Sequence, residues 1–347
     1  MFIKKLSTLL LILLLTTINI TAEENSVEPV FSDIEITGFM DFISSYHNTI
    51  ADETNISLGQ AEIDLTKDIG SNKSIELAIA YNNDESKFEL GAAILDIHLS
   101  NSVGERHNRK SSYIHSSLIV GQFDVPFGID YQSYASVDRK LISAPRVVDL
   151  THEGWNDVGL NLTMENSYGN LSVFVVNGFE SSAEITSQVI NIATGLPEDQ
   201  IDEVDTTPSN AFGGRLGMNL FSGLEVGSSL ALGLNADNKD EMMIIGADVQ
   251  YNMSNLLIKG EYIQHSVNRS VQEENHKGYY LQSLYNFDSF FLTSRYGSFK
   301  PDGVEWVGQL SIGGGIPISD GVEIRVESLI HESSANNITM LQFVSEF

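Results

Sequence analysis

Apolar and polar residues alternate with a period of two through most of this chain, and that pattern limits its fold more than any other feature. Ile34, Ile36, Met40 and Phe42 alternate with Asp33, Glu35, Thr37 and Asp41. Leu224, Val226, Leu230, Leu232 and Leu234 alternate with Glu225, Gly227, Ser229, Ala231 and Gly233. Val322, Ile324, Val326 and Ile330 face away from Glu323, Arg325, Glu327 and His331. Successive side chains of a strand point to opposite faces, so each segment reads as a strand with one apolar and one polar face. An amphipathic helix needs apolar residues every three or four positions. No segment beyond the N-terminal leader shows that spacing.

The N-terminus sets the compartment. MFIKK carries two lysines, LSTLLLILLLTTINI is apolar and uncharged, and the small residue Ala22 precedes Glu23 and Glu24. This is the order of a secretory signal peptide, residues 1–22, with the mature chain running over 23–347. No later apolar run is long enough for a membrane helix. The chain carries 47 acidic against 19 basic residues, a net charge of −28, and no cysteine. Such acidity disfavours nucleic acid as a partner, so none is expected, and disulfides cannot staple the fold. An exported, all-β chain without disulfides is either a soluble sandwich or a barrel that crosses lipid on alternating strands.

The connections favour the barrel. Short turns are expected at 68–73, 165–170, 221–223, 253–255, 288–289 and 313–320. Longer or more charged connections are expected at 47–56, 126–154, 180–209 and 267–277, with the short polar segments NNDES and DNKD on the same side. Alternation of short turns and long loops describes a transmembrane antiparallel β-barrel with short periplasmic turns and long external loops. The segment count gives about sixteen strands. Fourteen or eighteen would also fit, because the apolar phase slips between Ile94 and Leu95 and the following NSVGERHNRKSSYIHSS is long for a periplasmic turn. A bulge or an excursion of the chain would account for this. The last segment, NNITMLQFVSEF, ends in Phe347 and resembles the C-terminal signal read by the outer-membrane assembly machinery, with Ser345 where such signals carry a bulkier residue.

GQFDVPFG (121–128) resembles the G-x-F-x-x-P-F-G segment of Gram-negative porins related to the phosphate-selective porins. NLSVFVVNGFE (170–180) is similar to a strand of that family ending in V-x-N-G, and GWNDVGLNL (154–162) opens the strand between them. The resemblance implies an outer-membrane channel set in lipid and lipopolysaccharide, and by analogy a homotrimer. It also implies that the third external loop folds into the barrel and narrows it. That loop is 126–154, which follows the fifth strand. Asp130, Asp138, Arg139, Lys140, Arg146 and Asp149, flanked by His152 and Glu153, are then the candidate constriction residues.

Alternation supplies the water-facing candidates: Glu35, Asp41, Glu62, Asp64, Glu225, Lys259, Glu261, Arg295, Glu323, Arg325 and Glu327. Most are acidic, and rings of carboxylates favour cations. The namesake family's arginine ladder has few counterparts in this chain. The expected function is passive diffusion of small hydrophilic solutes or ions, preferring cations. A substrate-specific channel for an anion such as phosphate or a metal chelate, and a structural or adhesive barrel, fit the same residues. No phrase of the sequence suggests catalysis, a cofactor or a metal site, and the histidines, among them His98, His115, His265 and His331, are scattered. The acidic run PEDQIDEVD (197–205) lacks the residue order of a calcium loop. Tyr46, Tyr81, Trp155, Tyr279 and Trp306 are candidates for an interfacial girdle.

Overall fold

The computed structural model of the chain describes residues 33–48, 53–82, 87–99, 114–178, 210–234, 241–268, 273–331 and 337–347. The leader 1–22 and the acidic run 197–205 lie outside the described residues. Glu35 to Phe347 form one unit. Its strands are β1 (Glu35–Asn48), β2 (Glu53–Asp68), β3 (Lys73–Asn82), β4 (Lys87–His98), β5 (His115–Asp124), β6 (Asn156–Asn166), β7 (Gly169–Val176) and β8 (Asn210–Phe221). They continue as β9 (Leu224–Leu234), β10 (Glu241–Met253), β11 (Leu256–Asn268), β12 (Glu273–Asn286), β13 (Phe291–Lys300), β14 (Val307–Ser319), β15 (Val322–His331) and β16 (Asn337–Glu346). Every sequential pair is antiparallel, and β1 pairs with β16 to close a sixteen-stranded barrel. Phe347 completes the seam, exchanging backbone hydrogen bonds with Gly38 at 3.0 and 3.2 Å.

Closure follows from the solvent the wall must meet. Large apolar side chains point outward: Ile36, Met40 and Phe42 on β1, Leu230 on β9, Ile245 and Val249 on β10, Val326 and Ile330 on β15, Leu341 and Phe343 on β16. Each gains roughly 1.5–3 kcal/mol on leaving water. Lipid offers the backbone no hydrogen bonds, so a sheet that buries this face must have no free edge. The inward face of the same strands carries Asp41, Ser229, Asp248, Arg325, Glu327 and Gln342, all buried inside the barrel.

Two expected features sit elsewhere. GGGIPISD (313–320) is not a turn: β14 runs through it to Ser319. The glycines leave room rather than turn the chain, since a Cβ on Gly315 would lie 2.6 Å from the Phe291 ring and one on Gly313 would lie 3.0 Å from Leu141. The phase slip in β4 is centred on Gly91 rather than on Ile94, because Ala78 pairs with Ala92 while Ile79 pairs with Leu90. The connection from β4 to β5 is the exception to short turns on its side of the barrel, and it accounts for the sequence ambiguity in strand number.

Candidate functional site

The strand β5 stops at Asp124 because the next residues cannot extend it. Pro126 lacks the donor a ladder needs. Gly128 takes φ +69, and a Cβ there would sit 2.2 Å from Glu261 Oε1. The chain therefore turns into the barrel and returns at Trp155, whose carbonyl accepts a hydrogen bond from Val125 N at 2.8 Å across the neck of the loop. Between these points lie a 3-10 turn at Tyr131–Ser133 and a short helix, α1 (Arg146–Asp149).

Apolar packing seats the loop. Phe127, Leu141, Val147 and Val148 are buried. Phe127, Val147, Val148 and Leu150 join Phe174, Ile244, Ile263 and Phe299 of the wall in one cluster. Trp155 belongs to this packing and not to an interfacial girdle. Its ring lies 5.6 Å edge-on to Phe174, and its Nε1 donates to Gly178 O at 2.9 Å. Tyr46, Tyr279 and Trp306 do lie on the exposed outer face.

Polar clamps fix the loop's register. Glu327 accepts from Ile142 N at 2.6 Å, Ser143 N at 2.9 Å and Ser143 Oγ at 2.6 Å. Arg295 donates to Ser143 O at 2.9 Å and Ala144 O at 2.7 Å. Arg325 bonds Ser136 O and Glu323. Asp130 accepts from Lys259 and Tyr280. Burial alone would raise the Asp130 pKa, but the Lys259 charge and the hydrogen bonds from Lys259 and Tyr280 outweigh it and hold the carboxyl below its ordinary value. These residues come from β11, β12, β13 and β15, so the loop lies against that side of the wall.

The remaining loop charges are mostly committed as well. Arg139 pairs with Glu153 at 3.0 Å. Lys140 pairs with Glu323 at 2.7 Å and lies 5.2 Å from the centre of the Phe291 ring. Arg146 is buried, with Nη1 3.5 Å from His331 Nδ1, and burial lowers its pKa. Asp149 is exposed at the end of α1. Asp138 faces the space left beside the loop, where partial burial and then the charge of Glu346 raise its pKa.

Beside the loop, against β1 to β5, runs a cavity of about 720 Å³. Glu62, Glu76, Glu89, Asp124 and Asp138 line it, and among the described residues no lysine, arginine or histidine does. Part of its wall is stitched by side chains. The β4–β5 ladder ends at Ala93 and Gln122, and beyond it Gln122 Nε2 donates to Leu90 O and Asn156 Nδ2 to Gly91 O, each at 2.7 Å.

Of the residues read as water-facing, Glu62 lies in this cavity, and Asp64 shares its strand face one step along β2. Glu35 is exposed at the start of β1. Asp41 is bonded by Gln342 and the Gln60 backbone. Glu225 pairs with Arg215 at 2.9 Å, and Arg295, Glu323, Arg325 and Glu327 hold the loop. Glu76, Glu89 and Asp124 escaped the sequence reading. Glu76 was legible, since Ser74, Glu76, Ala78 and Ala80 alternate with Ile75, Leu77, Ile79 and Tyr81. Asp124 was not, because it sits where the strand pattern breaks.

No family model and no curated protein matches the sequence. Solved structures do. The barrel superimposes on an anion-selective porin from Comamonas acidovorans with TM-score 0.64 and 12% identity, over 90% of this chain and 99% of that one. This is the fold of the outer-membrane porins. A loop L8 deletion mutant of OmpT, an outer membrane protein of Vibrio cholerae, gives TM-score 0.62 and 10% identity over 90% of this chain and 99% of its own. The outer membrane channel DcaP of Acinetobacter baumannii gives 0.57 and 10% over 91% and 97%.

Proposed function

We propose that this protein is an outer-membrane porin of a Gram-negative bacterium, a passive, non-enzymatic diffusion channel for small hydrophilic solutes and ions that prefers cations. The observation that carries the reading is the cavity beside the inward loop, lined among the described residues by five carboxylates and by no basic group. Water-filled passages lined by carboxylates favour cations and repel anions. An anion preference of the kind named for the Comamonas barrel would need basic groups turned to the passage. Arg139 and Lys140 are instead engaged by Glu153 and Glu323.

Several parts of this reading rest on sequence or on neighbours. Residues 1–22 serve as the export signal, and Phe347 as the mark recognised by the assembly machinery. Kinship with the phosphate-selective porin-like family is supported by GQFDVPFG and NLSVFVVNGFE. A homotrimer is proposed by analogy, since OmpT of Vibrio cholerae is described in a trimer form. The constriction, in this reading, is bounded by the loop around Asp138 on one side and Glu62 and Glu76 on the other. Single-channel recording in planar bilayers under a potassium chloride gradient tests the whole proposal. The expected result is an open pore whose reversal potential has the sign for potassium over chloride. A non-conducting barrel, or the opposite sign, would reject it.

A further inference from the structure

We propose that Gln60 is a positioning residue of the passage, a side chain of β2 that holds the tip of the inward loop by its backbone and so sets the width open to solutes. The proposal rests on the channel reading above and deepens it, naming what fixes the size limit of that same passage.

A bulge aims the side chain. Between β1 and β2 the register shifts, with Met40 opposite Ala61 and Phe42 opposite Leu58, so Gly59 and Gln60 together face Asp41. A bulge re-aims a side chain and leaves a backbone group without its ladder partner. Here the Asp41 carboxylate takes that group, accepting from Gln60 N. A Cβ on Gly59 would lie 2.3 Å from Asp41 Oδ1, so glycine is what lets the carboxylate come this close. Gln60 is thus fixed at its own backbone before its side chain leaves the wall.

The side chain then meets the loop twice. Its Oε1 accepts from Ser136 N at 2.7 Å, and its Nε2 donates to Tyr134 O at 3.4 Å. A neutral amide carries both an acceptor and a donor, which a carboxylate or an ammonium group does not. Ser136 is buried and is held from the far side as well, where its carbonyl accepts from Arg325 of β15. Arg325 Nη1 reaches Gln342 Oε1 at 3.4 Å, and Gln342 donates to Asp41. The bonds close a ring through Gln60, Asp41, Gln342, Arg325 and Ser136. That ring ties the loop tip to the seam where β1 meets β16.

The ring borders the passage. Gln60, Tyr134 and Ala135 all line the cavity of about 720 Å³, so the span from β2 to the loop tip is one dimension of its cross-section. The clamps on the next residues of the loop pull the opposite way. Glu327 of β15 holds Ile142 and Ser143, and Arg295 of β13 holds Ser143 and Ala144. Arg325 keeps Ser136 O when Gln60 is lost. The tip is then drawn toward β15, and the gap to β2 widens.

Swelling of liposomes that carry the full chain, driven by neutral sugars of increasing size, should compare Gln60→Met, Gln60→Ala and Gln60→Glu with the unchanged protein. Methionine keeps the length of the side chain and removes both bonds, alanine also removes its bulk, and glutamate keeps the acceptor for Ser136 N. The expected result is that the Met and Ala variants admit sugars that the unchanged protein excludes, while the Glu variant excludes them still. Widening in the Ala variant alone would show that Gln60 only fills space. A Glu variant as wide as the Met variant, or no widening in any, would also overturn the proposal. Hydrogen exchange at the Ser136 amide gives a second measure that needs no conduction. It should quicken roughly two- to tenfold in the Met and Ala variants, the worth of one lost hydrogen bond, and stay near the unchanged rate in the Glu variant. Unaltered exchange in the Met variant would contradict the tether. A barrel that admits no solute rejects the channel reading, and exchange at Ser136 then decides by itself whether Gln60 holds the loop.

Discussion

The two sides of the lumen use charge in opposite ways. Under the loop, from β8 to β15, acids and bases alternate and bond: Arg215 with Glu225 and Asp248, Lys259 with Asp130, Lys140 and Arg325 with Glu323. Along β2 to β5, carboxylates gather around open space with no basic residue in the cavity lining among the described residues. The first arrangement positions a segment of chain. The second leaves a field of one sign across water. Alternation on a strand reveals which face a charge occupies, and the partner that reaches it decides what the charge does.

The largest expected difference between the two sides is in stability. Glu327→Ala removes the acceptor for three loop donors and leaves Arg295 facing a buried vacancy, which should cost about 3–5 kcal/mol of loop seating. Open-channel current noise and protease sensitivity of the loop should both rise. Glu62→Gln on the open side should change unfolding free energy by no more than about 0.5 kcal/mol in a urea titration. A Glu62→Gln effect as large as that of Glu327→Ala would erase the distinction.

A smaller effect is expected from the loop bases. Replacing Arg139 and Lys140 together by alanine frees Glu153 and leaves Glu323 to Arg325 alone, so cation preference should rise modestly at low salt. At about 1 M salt the Debye length is roughly 3 Å and the change should vanish. A large rise in cation preference, in place of the modest one, would show that the two bases face the ion path after all. The smallest effect belongs to Lys239→Ala, in the connection between β9 and β10, whose reversal potential should match that of the unchanged protein within measurement error.

The barrel was legible because lipid and water impose a strict period of two, as in β15, where Val326 and Ile330 face out and Arg325 and Glu327 face in. The inward course of the loop was legible only through the GQFDVPFG phrase and its place after the fifth strand. What the loop charges do was not legible. Arg139 finds Glu153 within the loop, but Lys140 finds Glu323 and Ile142 finds Glu327, nearly two hundred residues away, and no local pattern encodes those meetings. Trp155 misled for the same reason: an aromatic at a strand end suits a girdle, until Phe127 and Phe174 are seen to enclose it.

The central claim is that the wall from β2 to β5, and not the loop's basic cluster, sets the sign of selectivity. Reversal potentials at low salt should be compared for Glu62→Gln/Glu76→Gln/Asp124→Asn and for Arg139→Ala/Lys140→Ala. The account predicts that the triple variant loses most of its preference for potassium over chloride while the double variant keeps or slightly increases it. A triple variant as cation-preferring as the unchanged channel, or a double variant that shifts further than the triple, would contradict it.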